Sequence, residues 1–346
     1  MKRVYLDHNA TSPLRAEARD AMVAAMDVVG NPSSVHAEGR AAKGLLERAR
    51  ADLAEALGAA SADIIFTSGA TEAAALALAG KGYVASGLEH AAVTAWVDPS
   101  LSVVDSVVQV SDPARSVVQL ANSETGLLQN VDGVAVSDIT QGFGRVPFAF
   151  DWSGVGAAIL SAHKFGGPKG VGALIVPQGA EVEAQIRGGG QEMGRRSGTE
   201  NLILIAGFAA AARAAQKDLA DGRWEAVAEL RNILEKAIED AAPDTTFVGQ
   251  GAQRLPNTSC LISRGWKGET QVMAMDLAGF AVSAGSACSS GKVKASGVLP
   301  ALGYDDEAAT CALRVSLGLD TTEDDVLRFA DSWARKRQKI AAKAVA

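Results

Sequence analysis

The chain has 346 residues, 48% hydrophobic and 21% charged, which suits two domains or one large domain with an appendage. A formal net charge of −7 without a concentrated basic block argues against nucleic acid as a primary partner, since phosphate recognition rests on clustered Lys and Arg. No apolar run approaches the roughly 20 residues of a membrane span, and Cys260, Cys288 and Cys311 lack CxxC spacing, so neither a membrane anchor, a disulfide framework nor a zinc site is expected.

The opening MKRVYLDHNATSP has no apolar run suited to a signal peptide, and the expected place is a reducing cytoplasm. Val4–Leu6 reads as a short strand, followed by helices over about Arg15 to Asp27 and Val35 to Leu57, the second with Leu45, Leu46, Leu53 and Leu57 on one stripe. Ile64–Thr67 reads as a buried strand that runs into Ser68-Gly69-Ala70-Thr71-Glu72 and an alanine-leucine helix. In that arrangement free N–H groups and the helix dipole can hold a phosphate, although a P-loop lysine and a dinucleotide glycine fingerprint are both missing.

Strands are expected at Tyr83–Ser86, before Glu89-His90, at about Val103–Val110, and at Val117–Ala121, before Asn122-Ser123-Glu124-Thr125-Gly126. Val134–Val136 would deliver Asp138-Ile139-Thr140-Gln141 at its end, and Val146–Phe150, Ala157–Leu160 and Gly172–Val176 complete the series. Polar residues at successive strand ends are where open α/β sheets place ligands. Ile186 to Asn201 is too rich in glycine for regular structure and too polar for core. Helices over about Leu202 to Leu219 and Trp224 to Asp240 follow, with a change of domain near Asp221-Gly222. Strands at Thr258–Ile262 and Ala281–Ser283 then alternate with helices over Glu269–Leu277 and Thr322–Lys336.

The centre of the chain is AAILSAHKFGGPKGVGALIV, Ala157 to Val176, where two apolar runs flank a corner carrying Ser161, His163 and Lys164. A lysine held in such a corner can lose its proton near neutral pH and attack a carbonyl.

SGATE after a strand, EH, N-x-ET-G, D-x-TQ, S-x-HK before GGPKG, GGGQE-x-G-x-RSGT, SAGSACSS and LRVSLG stand in that order, and together they closely resemble the cysteine desulfurases. These are pyridoxal-phosphate (PLP) enzymes of the class V aminotransferase, fold-type I group, and the resemblance covers about the whole chain. It implies an α/β fold: an aspartate-aminotransferase-like large domain with a mixed, mostly parallel sheet, over 16–221, and a smaller α+β domain made of 1–15 and 222–346. It implies that Lys164 holds PLP covalently, that Asp138 keeps the pyridine nitrogen protonated, that His90 stacks on the ring and moves protons, and that Gln141 bonds the ring hydroxyl. Ala70, Thr71, Ser161 and His163 would hold the phosphate. Thr199 would reach the phosphate of the neighbouring subunit in a homodimer.

Arg314 would bind the carboxylate of L-cysteine, with Asn257 near it and Asn122 also at the substrate. Cys288, alone among Ser, Gly and Ala, would be the nucleophile that takes the sulfur as a persulfide and leaves alanine, whereas Cys260 and Cys311 sit in apolar contexts. Its loop resembles the branch of the family that passes sulfur to protein acceptors for iron–sulfur cluster assembly or tRNA thiolation. Ser123 replaces a second asparagine and Gln191 a histidine common in the family. The stretches from His90 to Asn122 and from Gly126 to Asp138 are short, so a plain loop is expected before Asp138. A PLP aminotransferase or selenocysteine lyase of the same fold would need Lys164 without a mobile cysteine, and an idle scaffold would not need Lys164, Asp138, His90, Cys288 and Arg314 together.

Overall fold

The computed structural model describes residues 3–285 and 297–345; Cys288 lies outside the described residues. The main sheet is built from two pieces. Asp98–Leu101, Val84–Ser86 and Ser116–Val117 run parallel, and a parallel bridge from Val117 to Val136 joins them to Ser137–Asp138, Ala158–Ser161, Gly172–Pro177 and Ala62–Thr67. Gly172–Pro177 alone runs antiparallel to both of its neighbours.

Both faces of this sheet are covered, which is why its central strands are apolar almost without interruption. Ile64, Phe66, Ala158 and Leu160 face a core shared with Leu53, Phe165 and Phe208, from the side where the helices Ala16–Met26, Ala37–Ala56 and Leu202–Ala220 pack together. The alternate residues Ile65, Ile159 and Leu174 face the helix Ala70–Leu78 through Leu76 and Leu78. This is the two-residue period of a strand read out on two cores.

A second core gathers Leu313, Phe329, Trp333, Trp224 and Leu234 around the antiparallel sheet Thr246–Phe247, Thr258–Ile262 and Ala312–Ser316. The N-terminal strand Val4–Tyr5 joins this core, pairing in parallel with Phe280–Ala281. No helix among the described residues is long and apolar enough to cross a membrane.

Two expected strands take another form. Val103–Val110 is a hairpin of Val103–Val104 and Val107–Val108, because Asp105 and Ser106 turn the chain with φ of 48° and 67°. Val146–Phe150 is not a strand: Pro147 cannot donate to a ladder, and Phe150 opens the short helix Phe150–Ser153 instead. Between Gly126 and Asp138 the chain is a plain loop without a helix.

Candidate active site

The parallel strands end on one side of the sheet, and a cavity of about 990 Å³ opens there. Of the residues singled out from the sequence, Ala70, Thr71, His90, Asp138, Gln141, Ser161, His163, Lys164 and Arg314 all line it. The Lys164 side chain leaves the turn after Ala158–Ser161 and its Nζ donates to the carbonyls of Asn9 and Ala10, each at 2.9 Å. His163 is mostly buried and its Nδ1 lies 3.2 Å from Thr11 Oγ1. Burial first, then the charges of Lys164 and Lys169, lower its pKa to about 4, so the ring is neutral at physiological pH.

The opposite wall begins where Ala62–Thr67 turns through Ser68-Gly69 into Ala70–Leu78. No side chain caps this helix, and the N–H groups of its first turn face the cavity end of the fold. The turn sits tightly on the sheet. A Cβ on Gly172 would lie 2.5 Å from Leu160 O and 2.7 Å from Gly69 Cα, so only glycine lets the turn come this close.

Asp138 Oδ1 accepts from the Thr140 N–H at 2.9 Å. His90 caps the next helix start, its Nδ1 accepting from Ala92 N at 3.1 Å, which places the proton of the neutral ring on Nε2. Glu89 is fully buried beside it. Its Oε1 accepts from Gln119 N at 2.8 Å, while Oε2 has no partner among the described residues. Burial, reinforced by the charge of Asp138, pushes the Glu89 carboxyl well above the usual carboxylate range.

Arg314 projects from Ala312–Ser316 and is 4% exposed. It pairs with Asp7 at 2.7 Å and donates to Ser123 O at 3.1 Å, while its Nε has no partner among the described residues. The other oxygen of Asp7 accepts from Ser283 Oγ at 2.8 Å. The guanidinium lines the polar cavity, held in place by Asp7 and Ser123, as a group that could recognise a carboxylate.

The remaining sequence candidates lie behind or beyond these walls. Asn122 is buried, and its side chain is spent on its own turn, accepting from Glu124 N and Thr125 N at 2.9 Å and donating to Leu88 O at 2.9 Å. Asn257 is also buried, donating to Leu317 O at 3.0 Å and to Asn9 Oδ1 at 3.2 Å. Thr199 stands exposed on its loop, outside the cavity.

That loop is bolted down by three ion pairs. Glu192 accepts from Arg50 through both oxygens at 2.8 and 3.1 Å, Arg195 pairs with Asp63 at 2.8 Å, and Arg196 pairs with Glu72 at 2.8 Å. The pairs to Asp63 and Glu72 link the loop to the strand and helix around the Ser68-Gly69 turn, and the pair to Arg50 links it to the helix Ala37–Ala56.

Three participants were not assigned roles from the sequence: Asp7, Asn9 and Arg145. Arg145 is 3% exposed and pairs with no carboxylate among the described residues. Burial and the charge of Arg314 lower its pKa to about 9. Its only signal in the sequence was a lone charge in the run QGFGRVPF, four residues after Gln141.

The family model for aminotransferase class-V matches residues 4–100 and 99–329. A cysteine desulfurase of Cereibacter sphaeroides is 38% identical, covering 96% of this chain and 95% of its own. An IscS-like cysteine desulfurase of Mycobacterium tuberculosis is 33% identical, covering 93% of each chain. Among solved structures, a NifS-like protein from Rickettsia africae superposes with a TM-score of 0.87 at 30% identity over 98% of this chain and 99% of that one. The structure titled SspA in complex with cysteine gives a TM-score of 0.73 at 26% identity over 91% and 98%. The cavity at the strand ends, the two-core architecture and these full-length likenesses agree: the chain belongs to the class-V aminotransferase family, among its cysteine desulfurases.

Proposed function

We propose that this protein uses PLP to remove sulfur from L-cysteine, giving L-alanine and a persulfide on Cys288. The observation that carries the reading is the convergence on one cavity of an amine, a carboxylate, an uncapped helix start and an arginine. These groups fit a molecule bearing an aldehyde, a basic ring nitrogen and a phosphate. The Gly69–Gly172 close approach gives the helix start the shape of a cradle, and Asp138 is the half-buried end of its strand, lining the cavity.

When bound, PLP supplies the electron sink that weakens bonds at the substrate α-carbon. Lys164 holds the aldehyde carbon through its amine. Asp138 would pair with the ring nitrogen and keep it protonated. Ala70 and Thr71 offer N–H groups to the phosphate with Ser161, and His163 accompanies them as a neutral ring. His90, whose Nδ1 is taken by Ala92 N, would move protons at the cofactor through Nε2. Arg314 would hold the substrate carboxylate end, and Asn257 stands behind the wall, bracing Asn9. The Cys288 thiolate would attack the substrate sulfur: the S–S bond of the persulfide forms as the substrate's Cβ–S bond breaks, and the electron pair left on that carbon takes up a proton to give alanine.

On this reading residues 16–221 form the cofactor domain, and 1–15 with 222–346 form the domain carrying Cys288. The protein works as a homodimer in which Thr199 completes the neighbour's phosphate site, and it hands sulfur to a protein acceptor for iron–sulfur cluster assembly or tRNA thiolation. Cys260 and Cys311 are buried free thiols, in keeping with a reducing cytoplasm. Incubation with PLP, L-cysteine and a thiol reductant is expected to give alanine and sulfide in equal amounts. Transfer of the amino group to a keto acid without sulfide would overturn the reading.

A further inference from the structure

We propose that Arg145 is a positioning residue that fixes Gln141 as a hydrogen-bond donor toward the cavity and ties the Lys164 corner to the N-terminal turn. The inference rests on the functional reading above, in which Gln141 meets the ring oxygen of PLP.

An amide can point either its oxygen or its nitrogen at a neighbour, and the neighbours decide which. A guanidinium has donors only. Arg145 donates to Gln141 Oε1 at 2.8 Å, so the amide oxygen faces Arg145. The amide nitrogen is left on the other side, where it donates to Asn9 O at 2.9 Å. A carbonyl there accepts a proton and cannot give one, so the two neighbours agree on one orientation.

The same guanidinium donates to Asn9 Oδ1 at 2.9 Å and to Lys164 O at 2.8 Å. The Lys164 amine in turn shares Asn9 O with the Gln141 amide. One buried cation thus orders the N-terminal turn, the segment after Asp138 and the lysine corner, and it also lies over the Trp224 ring at 5.9 Å. Burying a cation without a carboxylate partner is costly, and an apolar residue would serve packing better. What a donor-only group gives here is a definite polarity for the amides around it. A donor from Gln141 favours the ionised form of the ring oxygen over the hydroxyl.

The test is a double-mutant cycle on the full-length protein. The dissociation constant for PLP and the pH midpoint of the absorbance change of the bound cofactor would be measured for wild type, Arg145→Met, Gln141→Leu and the double variant. Each single change is expected to weaken binding about tenfold, the scale of one hydrogen bond to a charged group, and to raise the midpoint, because the ring oxygen has lost its donor. The double variant should match either single one. Additive losses, or an Arg145→Met protein that binds and titrates like wild type, would overturn the proposal.

Arg145→Lys, which keeps a donor-only cation, provides a check that does not depend on the methionine variant folding. It is expected to stay within about threefold of wild type, and behaviour like that of Gln141→Leu would contradict the proposal. A wild-type protein that binds no PLP would overturn the functional reading itself, whereas normal binding with indifferent Arg145 variants would overturn this inference alone.

Discussion

Two residues of the cavity wall, His163 and Glu89, together with His8 next to Asn9, give the protein opposite dependences on acid and base. His8 and His163 both have pKa values lowered to about 4 from 6.5, mainly by burial. A histidine kept neutral by the fold binds fewer protons folded than unfolded, so its contribution is complete above about pH 6.5 and is lost as the pH falls toward 4. Each is worth on the order of 3 kcal/mol on that limb. Urea unfolding at pH 7 and pH 5 should show the loss, and a His8→Asn variant should lose less between those two values than wild type. Glu89 has the reverse sign. Its raised pKa makes it a stabiliser below the unfolded value of 4.5 and a liability as the pH rises through the folded value. Glu89→Gln should bind PLP as wild type does and gain stability relative to wild type as the pH rises above 4.5. A Glu89→Gln protein that loses cofactor affinity would show that the charged form is the working one.

At the scale of elements, the site depends on the Ser68-Gly69 turn being pressed against the sheet and on the 187–201 loop being bolted beside it. Gly172→Ala places a methyl group against backbone that cannot yield, and should cost about 1–3 kcal/mol in urea unfolding while weakening PLP binding more than its stability loss accounts for. The Glu192 carboxylate is 2% exposed and takes two hydrogen bonds from Arg50 and one from Phe66 N. Glu192→Ala leaves that arginine half-buried without its main partner, a loss of about 3 kcal/mol, and should open the loop to limited proteolysis. The helices were legible in the sequence because their apolar stripes are long and end at glycines or prolines. Most sheet strands were legible because they run into polar clusters, but Asp98–Leu101 was not expected, because Asp98-Pro99-Ser100 has the composition of a turn. The hairpin at Val103–Val108 was not, since Asp105-Ser106 lacks the glycine that usually announces a tight turn and valines continue on both sides. The roles of Arg145 and Asp7 could not be read from spacing, because each acts on residues more than a hundred positions away or across the cavity: Asp7 meets Arg314, and Arg145 meets Asn9.

The whole molecule joins its two cores at the active site. The N-terminal strand belongs to the second core, yet the residues just after it, Asp7 to Ala10, reach Arg314, Arg145 and Lys164 in the cavity wall. Asn9 touches both halves at once, donating to Thr258 Oγ1 at 2.9 Å and accepting from Arg145. Thr199 is exposed, in keeping with a role in a neighbouring subunit. Dimers mixed from Thr199→Ala and Lys164→Ala chains test that role. A shared site leaves one of the two cavities in each mixed dimer fully wild type, with wild-type PLP affinity. A site made within one chain leaves none, and finding no wild-type affinity in the mixed dimers would count against sharing.

The central claim is that the cavity delivers the substrate's sulfur to Cys288. Its most direct measurement is peptide mapping by mass spectrometry after the PLP-loaded protein has been treated with L-cysteine without reductant and then capped with an alkylating agent. The account predicts one added sulfur atom on the peptide carrying Cys288, with alanine formed, and neither in a Cys288→Ala protein that still binds PLP through Lys164. Added sulfur on Cys260 or Cys311, or alanine formed at the wild-type rate by Cys288→Ala, would contradict it.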